Sequence, residues 1–247
     1  MADVGVWYNQ LPRFTRYWLT ATIAASLCSR FGILPFHYVY LSRRLVLGEW
    51  ELWRCLTSLV VYPLTSGTGF HFLINCYFIV QYSGRLEKDQ FNRSPADYLY
   101  MQLVISGMAI VGGLIFNVSF LMDILVVAVT YVWCHLNKDV IVTFWFGSRF
   151  KAIYLPWILA GLELIFHGSV ASLIGIFIGH LYYFLKFQYP QDLDGGNFLE
   201  TPRILKRFAP DVSGNMSGFG VPPANRNNQA SPGGFTSNWG RGNILGR

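Results

Sequence analysis

The sequence predicts an all-α membrane protein of six transmembrane helices followed by a disordered C-terminal tail, and three observations carry that prediction. The chain of 247 residues is 53% hydrophobic and only 13% charged, against about 25% charged for soluble domains, so its apolar surface exceeds what one soluble core can bury. Its apolar residues fall into runs of bilayer length joined by short charged or aromatic connections. Beyond Tyr189 the composition turns to Gly, Pro, Asn and Ser, which cannot bury enough surface to fold alone. The expected organisation is an N-terminal interfacial segment over 1–16, a membrane domain over 17–188 and a flexible tail over 189–247.

From Val4 to Arg16, Val6, Trp7, Leu11 and Phe14 gather on one helical face with Arg13 and Arg16 beside them, as in an interfacial anchor helix. Tyr17–Leu34 is the first span; it lacks a clear A-x-A site and further spans follow, so it reads as an uncleaved signal anchor. Phe36 to Arg54 reads as a loop on the membrane surface, with Tyr38, Tyr40, Trp50 and Trp53 suited to the interface. The next run, Leu56–Tyr82, is interrupted by Pro63 and by 65–69, so its uninterrupted helix is expected to start near Gly69. On that helix Thr68, His71, Asn75 and Tyr82 fall within a sector of about 60° at 100° per residue. This polar stripe is assigned to a water-accessible client groove; the alternative is that it bonds to neighbouring helices in a dry bundle.

Ser94 and Pro95 mark the start of the third span, Tyr98–Phe116, with Ser94 as the expected cap. A short turn makes it an antiparallel neighbour of the fourth span, Val118–Leu136, which carries Asp123 near its start. Asn137–Lys151 is aromatic and basic and predicts a helix lying at the interface. The fifth span, Ala152–Phe166, is short and contains Pro156 and Glu163. At about 22 Å against about 27 Å of hydrocarbon, it predicts local thinning of the bilayer unless the helix extends to Lys151 or Gly168. The sixth span, Ser169–Phe187, repeats small residues at Ala171, Gly175 and Gly179, a stripe for close helix packing within one chain or between copies, so a homo-oligomer stays open.

Fifteen of the 19 Lys and Arg residues fall on the side of the two termini and the 83–97 and 137–151 connections, which orients both termini to the cytosol. The net charge of +6 does not indicate nucleic acid, because the cations stand at the ends of apolar runs, where lipid headgroups accommodate them. Cys28, Cys55, Cys76 and Cys134 show no CxxC spacing, so neither a disulfide framework nor a metal site is expected. Nothing has the GxxxxGK[ST] form of a nucleotide loop, and no cofactor is expected.

Several stretches together resemble the Derlin family, catalytically dead relatives of the rhomboid proteases: TRYW at 15–18, LWRCLTS at 52–58, RSPADYLY at 93–100, NKDVIVTFWFGSRFKAIYLPW at 137–157 and FQYPQDL at 187–193. Trp53 and Arg54 match the family's Trp-Arg pair, and Gly175 and Gly179 its GxxxG. The resemblance implies a six-span rhomboid-like fold in the endoplasmic reticulum membrane. It also implies a role in moving misfolded proteins to the cytosol for ubiquitination and proteasomal degradation, with a membrane-bound ubiquitin ligase complex and misfolded clients as partners. The segment Trp239-Gly240-Arg241-Gly242-Asn243-Ile244-Leu245-Gly246 resembles the family's motif for binding the valosin-containing AAA ATPase. About fifty flexible residues separate it from Tyr189, a reach on the order of 40 Å, with Trp239, Ile244 and Leu245 as anchors and Gly240 and Gly242 letting the backbone lie close to the partner.

An intramembrane serine protease is the competing class. None of the Ser-Gly pairs, at Ser66, Ser83, Ser106, Ser213 and Ser217, has glycine two residues earlier, so the rhomboid Gly-x-Ser-Gly is missing. The turn before Gly175, where that family carries its catalytic His, holds Ala171 and Ser172, and His180 points off the stripe as a packed or interfacial residue. A transporter is disfavoured by the lack of an inverted repeat. The expectation is a non-catalytic conduit or client receptor.

Overall fold

A computed structural model describes residues 4–143, 147, 149–192 and 199–209. Its elements are helices α1 (Val4–Gln10), α2 (Arg13–Arg30), α3 (Phe36–Val39), α4 (Arg43–Gly48), α5 (Trp53–Val60), α6 (Gly69–Phe78), α7 (Pro95–Phe116), α8 (Met122–Leu136), α9 (Leu155–His167), α10 (Ala171–Tyr183), α11 (Tyr189–Asp192) and α12 (Arg203–Phe208), with strands β1 (Ile141–Thr143) and β2 (Arg149–Lys151) between α8 and α9.

Pro12 separates α1 from α2, so the first long helix starts at Arg13, four residues ahead of the expected span. Its first amides are capped from a distance: the Glu87 carboxylate accepts the N–H of Phe14 at 3.1 Å and of Thr15 at 2.8 Å, and the Thr15 hydroxyl at 2.8 Å. The region 36–54 is not an unstructured loop but carries α3 and α4, because Pro35 and Ser42 each start a helical turn that packs Val39 and Val46 inward. α6 begins at Gly69 and runs on as a π-helical turn over Ile79–Ser83.

Helix α7 carries Pro95 in its first turn, where a missing N–H costs nothing; Ser94 takes the N-cap position without a capping side-chain bond. At its other end Asn117 adopts the left-handed conformation (φ 55°), a role Asn fills at helix ends. α7, at 22 residues and mean hydropathy 1.9, is by length and composition alone able to cross a membrane. The remaining apolar helices are shorter because turns, caps and π segments divide them.

The expected interfacial helix over 137–151 is instead an antiparallel hairpin, Ile141 opposite Lys151 and Thr143 opposite Arg149. Ile141, Val142 and Thr143 are β-branched and lose rotamer freedom in a helix, and only Val142 of the three turns inward. A 3-10 turn over Ala152–Tyr154 leads into α9. Together they measure about 26 Å, which closes most of the shortfall expected for the fifth span.

Helix α8 is the centre of the bundle: Met122 and every residue from Ile124 to Cys134 are buried, and α5, α6, α7, α9 and α10 all pack on it. The sixth helix runs past its expected end, since α10 continues through a π segment, Phe184–Gln188, into α11. Beyond it Leu199 packs on the core and α12 against α7. All four cysteines are free.

Candidate functional site in the membrane domain

The small-residue stripe fixes which helix ends coincide. A Cβ on Gly175 would lie 2.7 Å from the Ile124 carbonyl oxygen, and one on Gly179 would lie 2.8 Å from both the Ala128 carbonyl oxygen and the Tyr131 Cβ. The two glycines therefore set α10 against α8 within one chain, and because contacts advance together along both helices, the helices run parallel. The N-termini of α8 and α10 and the C-terminus of α9 share one end of the bundle.

Polar side chains meet at that end. Asn75 of α6 donates its amide N–H to Asp123 Oδ1 at 2.5 Å, and His71 Nδ1 lies 3.7 Å from the same oxygen. The Tyr62 hydroxyl, from the irregular stretch after α5, is 2.7 Å from His71 Nδ1, while the Tyr62 backbone N–H donates to Ser26 Oγ of α2 at 3.0 Å. Glu163 near the end of α9 accepts the backbone N–H of Ser172 at 2.9 Å and also its hydroxyl. Glu163 and Ser172 are each only 3% exposed. Asp123 and Glu163 stand at the starts of α8 and α10, where the partial positive charge of a helix N-terminus favours a carboxylate. Both carboxylates stand near the Tyr62 hydroxyl.

Of the expected groove residues, the structure brings His71 and Asn75 together on Asp123, while Thr68 and Tyr82 have other partners. Thr68 closes the preceding turn, its hydroxyl donating to the Pro63 carbonyl at 2.6 Å and accepting the Thr65 N–H at 2.8 Å. Tyr82 is buried against Phe78 and Trp133, with ring centroids 5.4 and 4.9 Å away. The π turn at Ile79 changes the residues per turn, so a fixed 100° step no longer holds there. Tyr62, Asp123, Glu163 and Ser172 complete the cluster. The signal for two of them was present in the sequence, since ionisable residues inside apolar spans mark function by default; Tyr62 sits outside any helical wheel and gave none.

Arg54 organises the surface segment at the same end. It is 4% exposed while its neighbour Trp53 is 51% exposed. Its guanidinium donates to the carbonyls of His37 at 2.5 Å and Tyr40 at 3.3 Å, pairs with Glu51, and lies 5.2 Å from the Tyr40 ring centroid. The planar fork of Arg suits several acceptors at once.

An apolar groove of about 630 Å³ runs between α1, α2 and α6, walled by Trp7, Ile23, Leu27, Tyr77 and Val80. His180 is hydrogen bonded to the Tyr131 hydroxyl at 2.8 Å, at the opposite end of α8 from the cluster. No group of three or more metal-ligating side chains occurs among the described residues. Trp239, Gly240, Gly242, Ile244 and Leu245 lie outside the described residues. Chemically, the cluster gathers carboxylates, an imidazole, a phenol and an amide that satisfy one another's hydrogen bonds at one end of the bundle, where an unpaired buried polar group costs several kcal/mol.

The model of the Der1-like family matches residues 11–203. The chain is 63% identical to Derlin-1 of Drosophila melanogaster over 246 residues, covering 99% of both proteins. It is 46% identical to Derlin-1 of Homo sapiens over 249 residues, covering all of this chain and 99% of that protein. Over 213 residues it is 41% identical to Derlin-1 of Caenorhabditis elegans, 84% of this chain and 85% of that one.

Proposed function

Because the chain belongs to the Der1-like family, and within it to the Derlin-1 type, we propose that it is a non-catalytic component of endoplasmic-reticulum-associated degradation. In this reading it helps misfolded luminal and membrane proteins return to the cytosol for ubiquitination and proteasomal degradation. It crosses the endoplasmic reticulum membrane six times with both termini cytosolic, supported by the distribution of Lys and Arg. The carrying observation is the string Tyr62, His71, Asn75 and Asp123, held beside the Glu163–Ser172 pair at one end of the bundle. Such a string lowers the cost of bringing peptide N–H and C=O groups into the membrane. A protease reading finds little support there, since the group that accepts from the Ser172 hydroxyl is the Glu163 carboxylate, itself near the end of α9.

The energy for extraction must come from a partner, because pulling an apolar segment from lipid opposes the hydrophobic effect. The valosin-containing AAA ATPase, docked on Trp239 to Gly246, and a membrane-bound ubiquitin ligase complex fill that role. A second reading, a client receptor without a conduit role, is favoured by the groove along α2 and α6, which suits an apolar segment of a client.

The test uses cells lacking the protein. Re-expression should shorten the half-life of a misfolded luminal client, while the Asn75→Leu, Asp123→Leu double variant should insert normally and leave the client long-lived. Replacing both partners by apolar side chains of similar size is close to neutral for folding. Client turnover that does not change when the protein is removed refutes the reading. Cross-linking of a client to the α2–α6 groove but never to the cluster selects the receptor alternative.

A further inference from the structure

We propose that the segment 199–209 is a binding site for acidic phospholipid headgroups, clamped to the bundle at the level of the membrane surface. The inference rests on α7 crossing the bilayer and on nothing about client degradation.

The clamp has three parts. Lys186 Nζ donates to the Leu199 carbonyl at 2.5 Å; the Thr201 hydroxyl is hydrogen bonded to the Asp97 carboxylate in the first turn of α7; and Ala209, just past α12, is 8% exposed. Pinning to the first turn of an apolar helix of 22 residues sets the depth, because a helix of about 33 Å places its ends at the headgroups.

What this segment turns outward is unlike an ordinary water-facing surface. Arg203, Lys206 and Arg207 are all exposed, against one exposed carboxylate, Glu200, and Ile204 among the cations is 73% exposed. Arg93, also exposed, precedes α7 by two residues at the same level. A large aliphatic side chain ringed by cations at headgroup depth is the pattern of an interfacial segment: the apolar residue enters the acyl boundary while the cations pair with phosphates. Lys186 is occupied by the clamp itself, which leaves the α12 cations for the lipid. Free inorganic phosphate would use the cations but leave Ile204 in water, so the lipid is the occupant that accounts for both.

The experiment is native mass spectrometry of the full chain, released from mixed micelles of phosphatidylinositol and phosphatidylcholine. The wild-type chain should retain phosphatidylinositol in preference to phosphatidylcholine. The R203Q/K206Q/R207Q variant should lose that retention by roughly fivefold per cation, on the order of a hundredfold in all. An R43Q/R44Q control, at the opposite end of the molecule, should retain it. An attached polarity-sensitive dye at Ile204→Cys, in a background without the four native cysteines, should report a more apolar setting in acidic than in zwitterionic nanodiscs. Retention unchanged in the triple variant, equal retention of both lipids, equal loss in the control, or complete competition by water-soluble inositol phosphate each overturns the proposal.

Discussion

Replacing Gly179 by Ala tests the packing of the bundle at the seam between α8 and α10. The new Cβ would stand 2.8 Å from the Ala128 carbonyl oxygen and 2.8 Å from the Tyr131 Cβ. Ordinary contact begins near 3.4 Å, so α10 or α8 must retreat by about 0.6 Å. Both obstacles are backbone or Cβ atoms of a helix buried on all sides, so neither can rotate away as a side-chain tip would. Overpacking of this kind costs about 1–3 kcal/mol, and the widened seam forfeits part of its dispersion energy. Ala also gains about 1 kcal/mol over Gly in a helix interior, which would mask the loss if the variant were judged alone. Gly161→Ala, in α9 with nothing within 4 Å of the new Cβ, carries the same gain without the clash. The difference between the two variants isolates the seam, at about 1–3 kcal/mol. Thermal unfolding in detergent, followed by the fluorescence of the eight tryptophans, should show Gly179→Ala melting several degrees below Gly161→Ala, at about 2–4 °C per kcal/mol. Equal melting temperatures, or the reverse order, would refute the placement of α10 against α8.

Three further outcomes concern Gly113, Arg54 and the end of the tail. Gly113→Ala should cost less than Gly179→Ala despite a closer approach, because the obstructing atoms, Leu121 Cδ2 at 2.4 Å and Leu41 Cδ2 at 2.9 Å, are tips of side chains that can turn; the same melting series checks it. Arg54→Ala should destabilise by about 3 kcal/mol or more, since it strips the donor from two carbonyls and the partner from Glu51, and limited proteolysis should then cut within 36–52. Trp239→Ala with Leu245→Ala should abolish recovery of the AAA ATPase in a pull-down while membrane insertion stays intact; undiminished recovery would place docking elsewhere.

The parts of the fold written in short-range chemistry were legible. The start of α6 at Gly69 follows from Pro63 and the Thr-Ser-Gly stretch, the start of α7 from Pro95, and the close-packing face of α10 from glycines four residues apart, though not the helix it packs on. What failed did so for identifiable reasons. The hairpin at 141–151 has strands of three residues, too short for alternation to outweigh a general aromatic and basic composition. Projecting Tyr82 onto the stripe of His71 and Asn75 assumed one continuous helical step, which the π turn from Ile79 breaks. The cluster itself was half visible: Asn75 and His71 stood out on one helix, but their partners Tyr62 and Asp123 come from elements 9 to 48 residues distant in sequence. No periodicity within one segment encodes such a meeting, and the Glu87 cap on α2, 72 residues from Thr15, is the same case.

The burial of α8 bears on how anything could travel past this protein. A ring of helices around a lumen would give each wall a wet inner face, yet here the axis is filled by Met122 and the unbroken run from Ile124 to Cys134. Among the described residues, a single copy therefore has no bore along α8. Traffic, if it uses one copy, has to slide along an outer flank with protein on one side and lipid on the other, and its half-solvated path would be completed by bilayer or by a neighbouring protein. The polar cluster at one end of that solid shaft would then serve as a landing at the rim, where a chain exchanges water for side-chain hydrogen bonds before it meets hydrocarbon.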